Sequence, residues 1–159
     1  MPANTHTLGP GTGLNMNAAE SWVEGTVPAT GDTIAFVAAS GTVGTVLADA
    51  GGPDVYDLIL TDYSITDRTA YFAATIVIRD VTADEYGTYI SSAAKPMTGN
   101  AVVGDGSILS QLGTHAGTVT VTAGGTFMVA AAVTVTGAMS VTGPAALITA
   151  DANFTSTAG

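Results

Sequence analysis

The chain has 159 residues, enough for one moderate domain or two small ones with a buried core. It carries 13 acidic residues against three basic ones, for a formal net charge of −10. Protein affinity for DNA and RNA depends on Lys and Arg side chains that neutralise phosphates, so this charge argues against nucleic-acid binding. It argues against binding to anionic membrane surfaces for the same reason.

Charged residues are also scarce. They make up 10% of the chain, against about 25% in an ordinary soluble domain, while apolar residues reach 47%. A monomer of this composition exposes a large, weakly polar surface, which is typical of proteins that contact other subunits. The sequence contains no cysteine, so it has neither disulfides nor thiolate metal ligands.

Residues 1–31 are rich in Gly, Pro, Asn and Thr and are predicted to form an extended N-terminal arm. We expect residues 1–20 to be disordered, or ordered only through a neighbouring chain, because they cannot bury much apolar surface alone. Trp22 is expected to anchor the arm on the segment that follows. The sequence shows no basic and apolar segment of the kind that forms a secretory signal peptide.

Residues 32–100 hold most of the charge and are predicted to form a β domain. The predicted strands are Thr33–Val37, Val55–Leu60, Ala74–Arg79 and Tyr86–Ile90. Turns are expected at 51–54 and at 82–85. No segment has the apolar spacing of a helix, so the fold class is all-β.

Residues 101–159 form a repetitive tail in which short runs of apolar residues are separated by Gly, Ala and Thr. Val119 and Met139 are 20 residues apart, Phe127 and Leu147 are 20 apart, and Val133 and Phe154 are 21 apart. Three short strands that return after this interval predict a three-faced β-solenoid. The residues expected to point inward are Val119, Val121, Phe127, Val129, Val133, Val135, Met139, Val141, Leu147 and Phe154.

The tail is also long and apolar enough to compare with a membrane helix over 127–148. Gly137, Gly143 and Pro144 interrupt this segment, and no Lys or Arg flanks it. Its Val and Thr residues alternate with the period of a strand, so we expect strands rather than a membrane span.

The segment containing Trp22, 28–36, 55–60 and 63–65 resembles a pattern in bacterial surface β-helices and phage virion proteins. In those proteins a Trp and a Pro-x-x-Gly-Asp precede the first strand, and short strands then stack with turns of small residues. The resemblance implies a β-solenoid with a structural role.

A second resemblance leaves a β-sandwich open for the middle domain. Residues 31–37 resemble the B strand of an immunoglobulin-like domain, and 74–89 resemble its E strand and tyrosine corner, with Tyr89 at the corner. The two cysteines of that family are missing here.

No segment predicts a catalytic, cofactor or metal site. His6 is expected in the flexible arm and His115 in a turn at 113–117, and no nucleophile motif surrounds any serine. The acids around two turns lack the ligand spacing that calcium requires, so we expect them to be solvated. These acids are Asp80, Asp84 and Glu85 in one group and Asp62 and Asp67 in the other.

The sequence therefore favours a non-enzymatic virion protein on the capsid surface. A phage capsid decoration (cement) protein that bridges capsid subunits is the expected role, with a small spike or fibre subunit as a variant. We expect a homotrimer, because a two-coil tail is short and ends in open strand edges. The alternative is a cell-surface adhesin or carbohydrate-binding module, whose aromatic platform would come from Tyr56, Tyr63, Tyr71, Tyr86 and Tyr89.

Overall fold

A computed structural model describes residues 3–48, 54–65, 71–73, 76–90, 97–150 and 154–156. One short 3-10 helix, Ala19–Ser21, lies near the start of the chain. The strands are β1 (Thr5–Thr7), β2 (Leu14–Asn15), β3 (Thr33–Val37), β4 (Val43–Thr45), β5 (Val55–Thr61), β6 (Ser64–Ile65), β7 (Val77–Asp84), β8 (Thr88–Ile90), β9 (Ala101–Val103), β10 (Ile108–His115), β11 (Val119–Val121), β12 (Thr126–Val135), β13 (Met139–Val141), β14 (Leu147–Ala150) and β15 (Phe154–Ser156).

These strands wind into a β-solenoid. The first sheet has the order β1-β3-β5-β7-β9-β11-β13, and the second has the order β6-β8-β10-β12-β14. Strand β15 pairs with β12, and β2 pairs with β4 in a small third sheet. All the strand pairs are parallel, because the chain returns to each face in the same direction after every coil.

The predicted return interval in the tail is confirmed. Val119 pairs with Met139 and Val133 pairs with Phe154, which gives coils of 20 and 21 residues. The long strand β12 spans two faces, since its first half pairs with β14 and its second half with β15. Together with β11 it forms the three faces of one coil.

Most of the predicted inward residues are buried. The fully buried ones are Val119, Val121, Phe127, Val129, Val133 and Val135. Met139 and Val141 stack on Val119 and Val121, but they lie in the last coil and remain partly exposed. The prediction for Leu147 is wrong, because Leu147 pairs with Thr126 on the outer surface and Ile148 takes the position over Phe127. The side chain of Phe154 lies outside the described residues.

The solenoid also includes the middle of the chain. Thr33 pairs with Asp57, Leu58 with Val81, Val81 with Ala101 and Ala101 with Val119, so successive coils have 24, 23, 20 and 18 residues. The immunoglobulin-like alternative is therefore wrong. Tyr89 is not a corner residue but is fully buried in the second sheet, where it pairs with Leu109.

Two strand boundaries in this region differ from the prediction. Strand β7 begins at Val77 and continues to Asp84, over most of the segment expected to turn at 82–85. The turn follows at Glu85 and Tyr86, whose φ angles of 47° and 66° lie in the left-handed region. The predicted turn at 51–54 lies mostly outside the described residues.

The first coil starts earlier than expected. Strand β1 pairs with β3 in the register Thr5 to Thr33, and Leu8 and Met16 are fully buried. For residues 3–20, the prediction of disorder, or of order only through a neighbouring chain, is therefore wrong, whereas Trp22 is buried as expected. The division into segments 1–31, 32–100 and 101–159 stays a prediction, although the first sheet takes strands from all three.

No helix within the described ranges has the length and apolar character needed to cross a membrane. The segment 127–148, which was weighed as a membrane span, lies within strands β12, β13 and β14 and their connections.

Three glycines allow successive coils to approach closely at one corner. Gly99, Gly117 and Gly137 each precede a strand of the first sheet by two residues. A Cβ atom on Gly117 would overlap the carbonyl oxygen of Gly99, and one on Gly137 would overlap that of Gly117. The corner therefore excludes side chains, because the overlapping atoms belong to the backbone of the paired coil.

Replacing Val135 with Asp should prevent folding of the solenoid. Val135 is fully buried, and an unpaired carboxylate there costs at least ~4 kcal/mol, a large share of the total stability of a domain. Thr134→Asp is the matched control, because Thr134 is the neighbouring, partly exposed residue of the same strand. Circular dichroism should show strand structure in the control only, and a folded Val135→Asp protein would contradict the inward assignment.

Replacing Gly117 with Ala should destabilise the protein by about 3 kcal/mol or more, because the paired backbone cannot move away without losing its hydrogen bonds. Gly25→Ala is the control. Gly25 has a φ of 69° but open space around its Cα, so only the left-handed conformation is penalised, by about 1–2 kcal/mol. Urea denaturation measures both, and equal losses would contradict the close approach.

Candidate functional site: the two ends of the solenoid

The first coil is closed by the segment 21–24, which covers the outer edge of β1. Trp22 forms an antiparallel bridge with Leu8, and the Val23 amide donates to the Thr7 carbonyl at 2.9 Å. The Glu24 side chain accepts a hydrogen bond from the Thr7 amide at 2.8 Å. These contacts use the amide and carbonyl of Thr7, which would otherwise be free to pair with another strand.

His6 belongs to this closed end and not to a flexible arm, so the prediction for it is wrong. It is 4% exposed, and its Nε2 lies 3.0 Å from Oδ2 of Asp32. Its Nδ1 lies 3.1 Å from the carbonyl oxygen of Thr26. The ring therefore links three segments of the first two coils and is held on both sides.

Asp32 is held by several donors. Burial alone raises its pKa, but hydrogen bonds from the amides of Asn4 and Ala29 and from His6 outweigh burial, so the pKa lies below its ordinary value. The carboxylate thus fastens the start of the first coil to the second. Its partners leave it little capacity to act as a catalytic acid or base.

His115 is not in a solvated turn, as expected from its flanking glycines, but at the end of β10 with no exposed surface. Its Nδ1 lies 2.9 Å from Oε1 of Gln111, and its Nε2 lies 3.2 Å from the Thr118 carbonyl oxygen. The Gln111 side chain also donates to the carbonyl oxygen of Thr114 at 3.1 Å. Burial lowers the pKa of His115, although the hydrogen bond to Thr118 acts in the opposite direction.

Acidic and amide side chains form a ladder along one corner of the solenoid. The side chain of Asp57 accepts a hydrogen bond from the backbone amide of Asp80, and the side chain of Asp80 accepts one from the backbone amide of Asn100. The side chain of Asn100 in turn accepts one from the backbone amide of Thr118. Each side chain therefore satisfies a backbone group of the following coil. The guanidinium group of Arg79 makes a two-point contact with Asp57, at 2.7 and 2.6 Å.

The three acids expected around one turn, Asp80, Asp84 and Glu85, lie at different positions along β7 and the turn after it. Asp80 lies within β7, whereas Asp84 ends that strand and Glu85 follows it in the turn. Among the residues that the structure describes, no group of three or more His, Cys, Asp or Glu side chains is arranged to hold a metal ion. Asp67, from the other expected cluster, lies outside those residues.

The tyrosines do not form an exposed aromatic platform in the described part of the chain. Tyr56 and Tyr89 are buried, and Tyr63 and Tyr71 pack against Phe36. The Tyr63 hydroxyl donates to the carbonyl oxygen of Gly41 at 2.6 Å, and burial together with Tyr71 raises its pKa. Tyr86 is exposed, but one ring is not a platform.

Strands β13 and β14 belong to the outermost coil of the described residues. Strands β13 and β14 are the final members of their sheets, and no described strand pairs with their outer edges. Val141 is 47% exposed although Val121 directly beneath it is 0% exposed. Leu147 is 50% exposed, and Met139 and Ile148 are half-buried. This end presents free backbone edges and apolar side chains together, as an assembly surface does.

No protein-family model matches the chain, and neither a search of curated proteins nor one of solved structures finds a match. The case for a function therefore comes from the residues and geometry of the chain itself.

Stability should fall on acidification through the range in which histidine normally titrates. The unfolded chain binds a proton at His115 near pH ~6.5 but the folded chain resists it, which costs up to about 1.4 kcal/mol per pH unit below that value. His115→Gln should lose this dependence between pH 7 and 5. Asp32 acts only at lower pH, because its folded pKa is depressed. Urea midpoints across this range test the prediction, which equal slopes in the two proteins would contradict.

Proposed function

We propose that this chain is a non-enzymatic structural protein that decorates a phage capsid and bridges neighbouring capsid subunits. The observation that supports the structural role is the contrast between a first coil held by Trp22 and Glu24 and a last described coil that has one formal charge and exposes Val141 and Leu147. The virion setting follows from the resemblance of Trp22, 28–36, 55–60 and 63–65 to virion and surface β-helices. Attachment would occur by shape, buried apolar surface and added strand pairs, without chemistry.

The arrangement of the polar side chains supports a structural role. Both histidines are buried; His6 contacts Asp32 across sequence-distant segments, and His115 contacts Gln111 within its own coil. The carboxylate of Asp32 and the guanidinium group of Arg79 are occupied by His6 and Asp57. These groups hold the backbone together, whereas a catalytic acid, base or nucleophile needs access to a substrate.

The distribution of charge divides the solenoid into an acidic part and a neutral part. The acidic residues that the structure describes are Glu20, Glu24, Asp32, Asp54, Asp57, Asp62, Asp80, Asp84, Glu85 and Asp105. In the sequence after Asp105, the single formal charge is Asp151. Copies of a chain with net charge −10 repel one another least where their neutral parts meet.

This division suggests the orientation of the protein on a particle. The neutral part would contact copies of the chain, while the acid-rich part would face the capsid protein or solvent and keep the particle soluble. Self-association is part of the proposal, and the homotrimer expected from the sequence stays a prediction. Light scattering at micromolar concentration measures the number of copies.

Antibodies raised against the purified protein should label the outside of virus particles banded in a density gradient from a lysed culture of the source organism. Particles from a deletion strain should still assemble but release their genome at a lower temperature, because the bridges between subunits are missing. Complementation with the intact gene is the control. Recovery of the protein with cell envelopes rather than particles would contradict the virion role and favour the adhesin.

A further inference from the structure

We propose that a surface cavity beside the starts of β1 and β3 binds a neutral saccharide of one or two hexose units. The cavity has a volume of about 440 Å³, within the range of ~300–1,000 Å³ that small-molecule sites occupy. Its lining includes Asn4, Ala29, Thr30, Gly31, Asp32 and Arg79. The inference goes beyond the proposed capsid role and does not depend on it.

One wall of the cavity is the loop before β3, which hydrogen bonds hold in place. The Thr30 hydroxyl donates to the carboxylate of Asp54, and the Gly31 amide donates to the Val55 carbonyl at 2.7 Å. Gly31 has a φ of 93°, and a Cβ atom there would meet no atom within 4 Å. The wall is therefore fixed while the space in front of it stays open, so a ligand need not order this loop on binding.

The opposite wall is the side chain of Arg79. Strand β5 lies between β7 and β3, so the backbone of Arg79 is two strand spacings, or ~10 Å, from β3. Only an extended side chain reaches the cavity from there. Asp57 holds the guanidinium group at 2.7 and 2.6 Å. This contact uses two of the five N–H donors of the group and leaves three for a ligand.

The cavity offers hydrogen-bond acceptors as well as donors. The Asp32 carboxylate accepts bonds from the amides of Asn4 and Ala29 and from His6, which leaves one of its roughly four acceptor positions. Among the described residues, the Asn4 side-chain amide has no hydrogen-bond partner, so it can both donate and accept. A sugar hydroxyl does the same, and neighbouring hydroxyls on one ring can use both kinds of group.

The charges at the cavity favour a neutral ligand. Asp57 already pairs with Arg79, and His6 already pairs with Asp32. An anion would compete with Asp57 for the guanidinium group and would face the carboxylate of Asp32, whereas a cation would face Arg79. A polyhydroxyl ligand meets neither cost. The described lining contains no aromatic ring for a sugar to stack on, so we expect a dissociation constant of ~1 mM or weaker.

His6 provides a local readout of binding. Its Nε2 lies 3.0 Å from Oδ2 of Asp32, whereas His115, the other of the two histidines in the sequence, contacts Gln111 in β10. The probes are the methyl glycosides of glucose, galactose and mannose. At least one of them should shift the imidazole NMR signals of His6 in a saturable way and leave those of His115 unchanged. No shift of His6 up to ~50 mM, or equal shifts of both histidines, would overturn the proposal.

Charged forms of the best-bound hexose test the choice of ligand class. Its uronic acid adds a negative charge and its 2-amino form adds a positive one to the same ring. Both should bind at least about tenfold more weakly than the neutral glycoside, because each places a charge beside a like charge of the cavity. Equal or tighter binding of either form would overturn the assignment to a neutral saccharide.

Two substitutions locate the site. Asn4→Ala should weaken binding by about fivefold and Arg79→Gln by at least about tenfold, because bonds to charged groups are the stronger ones. Thr98→Ala is the control, since Thr98 is exposed and lies outside the cavity. Circular dichroism verifies folding, and Asn4→Ala removes no side-chain hydrogen bond of the described structure. Unchanged binding by Asn4→Ala, or an equal loss in Thr98→Ala, would overturn this site and leave the capsid role untouched.

Discussion

Backbone hydrogen bonds between successive coils hold this molecule together, and they require each coil to repeat the path of the one before. The pairing continues across the whole first sheet, with one shift of register between β5 and β7 at Tyr56 to Leu58. One inward position is occupied in turn by His6, Ile34, Leu58, Val81, Ala101, Val119 and Met139. Because neighbouring strands are about 4.8 Å apart, an inward side chain packs directly on those above and below it.

The requirement that each coil repeat the path of the one before also explains where polar side chains and glycines occur. Where the chain turns, backbone amides need partners, and the corner side chains of Asp57, Asp80 and Asn100 supply them from the preceding coil. Where two coils approach most closely, only glycine fits, as at Gly117. The low charge of the tail and its many small residues thus have one cause, which is tight stacking of short coils.

The tail was predictable because its coils have nearly constant length and simple alternation. On the basis of this alternation, the predicted inward residues between Val119 and Val135 were placed correctly, since all of them are buried. Leu147 was misplaced because one added residue between Phe127 and Ile148 shifts the alternation, and a shift of one residue moves a side chain to the opposite face.

In the first coils no repeat was detected, because their lengths vary, and only the resemblance to β-helices indicated a solenoid there. The step from Thr5 to Thr33 is 28 residues and contains the 3-10 helix, so it lacks the period of the tail.

His115 was missed for a different reason. Glycines at 113 and 117 are typical of a turn. Here Gly113 has a φ of 94° at a register shift within β10, and Gly117 allows close stacking on Gly99. The polar atoms of the histidine between them are satisfied by Gln111 and Thr118. Free strand edges at the end of the tail were predicted, but the pairing of Val23 and Glu24 with Thr7 of β1 was not, because spacing alone does not reveal it.

The difference between the two ends has a consequence for local unfolding. Each coil contacts mainly its immediate neighbours, so the free energy of opening a coil depends on how many neighbours it has. Among the described residues, β13 and β14 have a neighbouring strand on one side only, while the first coil is fastened by Trp22 and the His6–Asp32 contact. Amide hydrogens should therefore exchange with solvent along a gradient, fastest in β13 and β14 and slowest in the middle of the stack. Local unfolding is therefore expected to begin at β13 and β14. A partner that covers these strands would also slow proteolytic degradation of the chain.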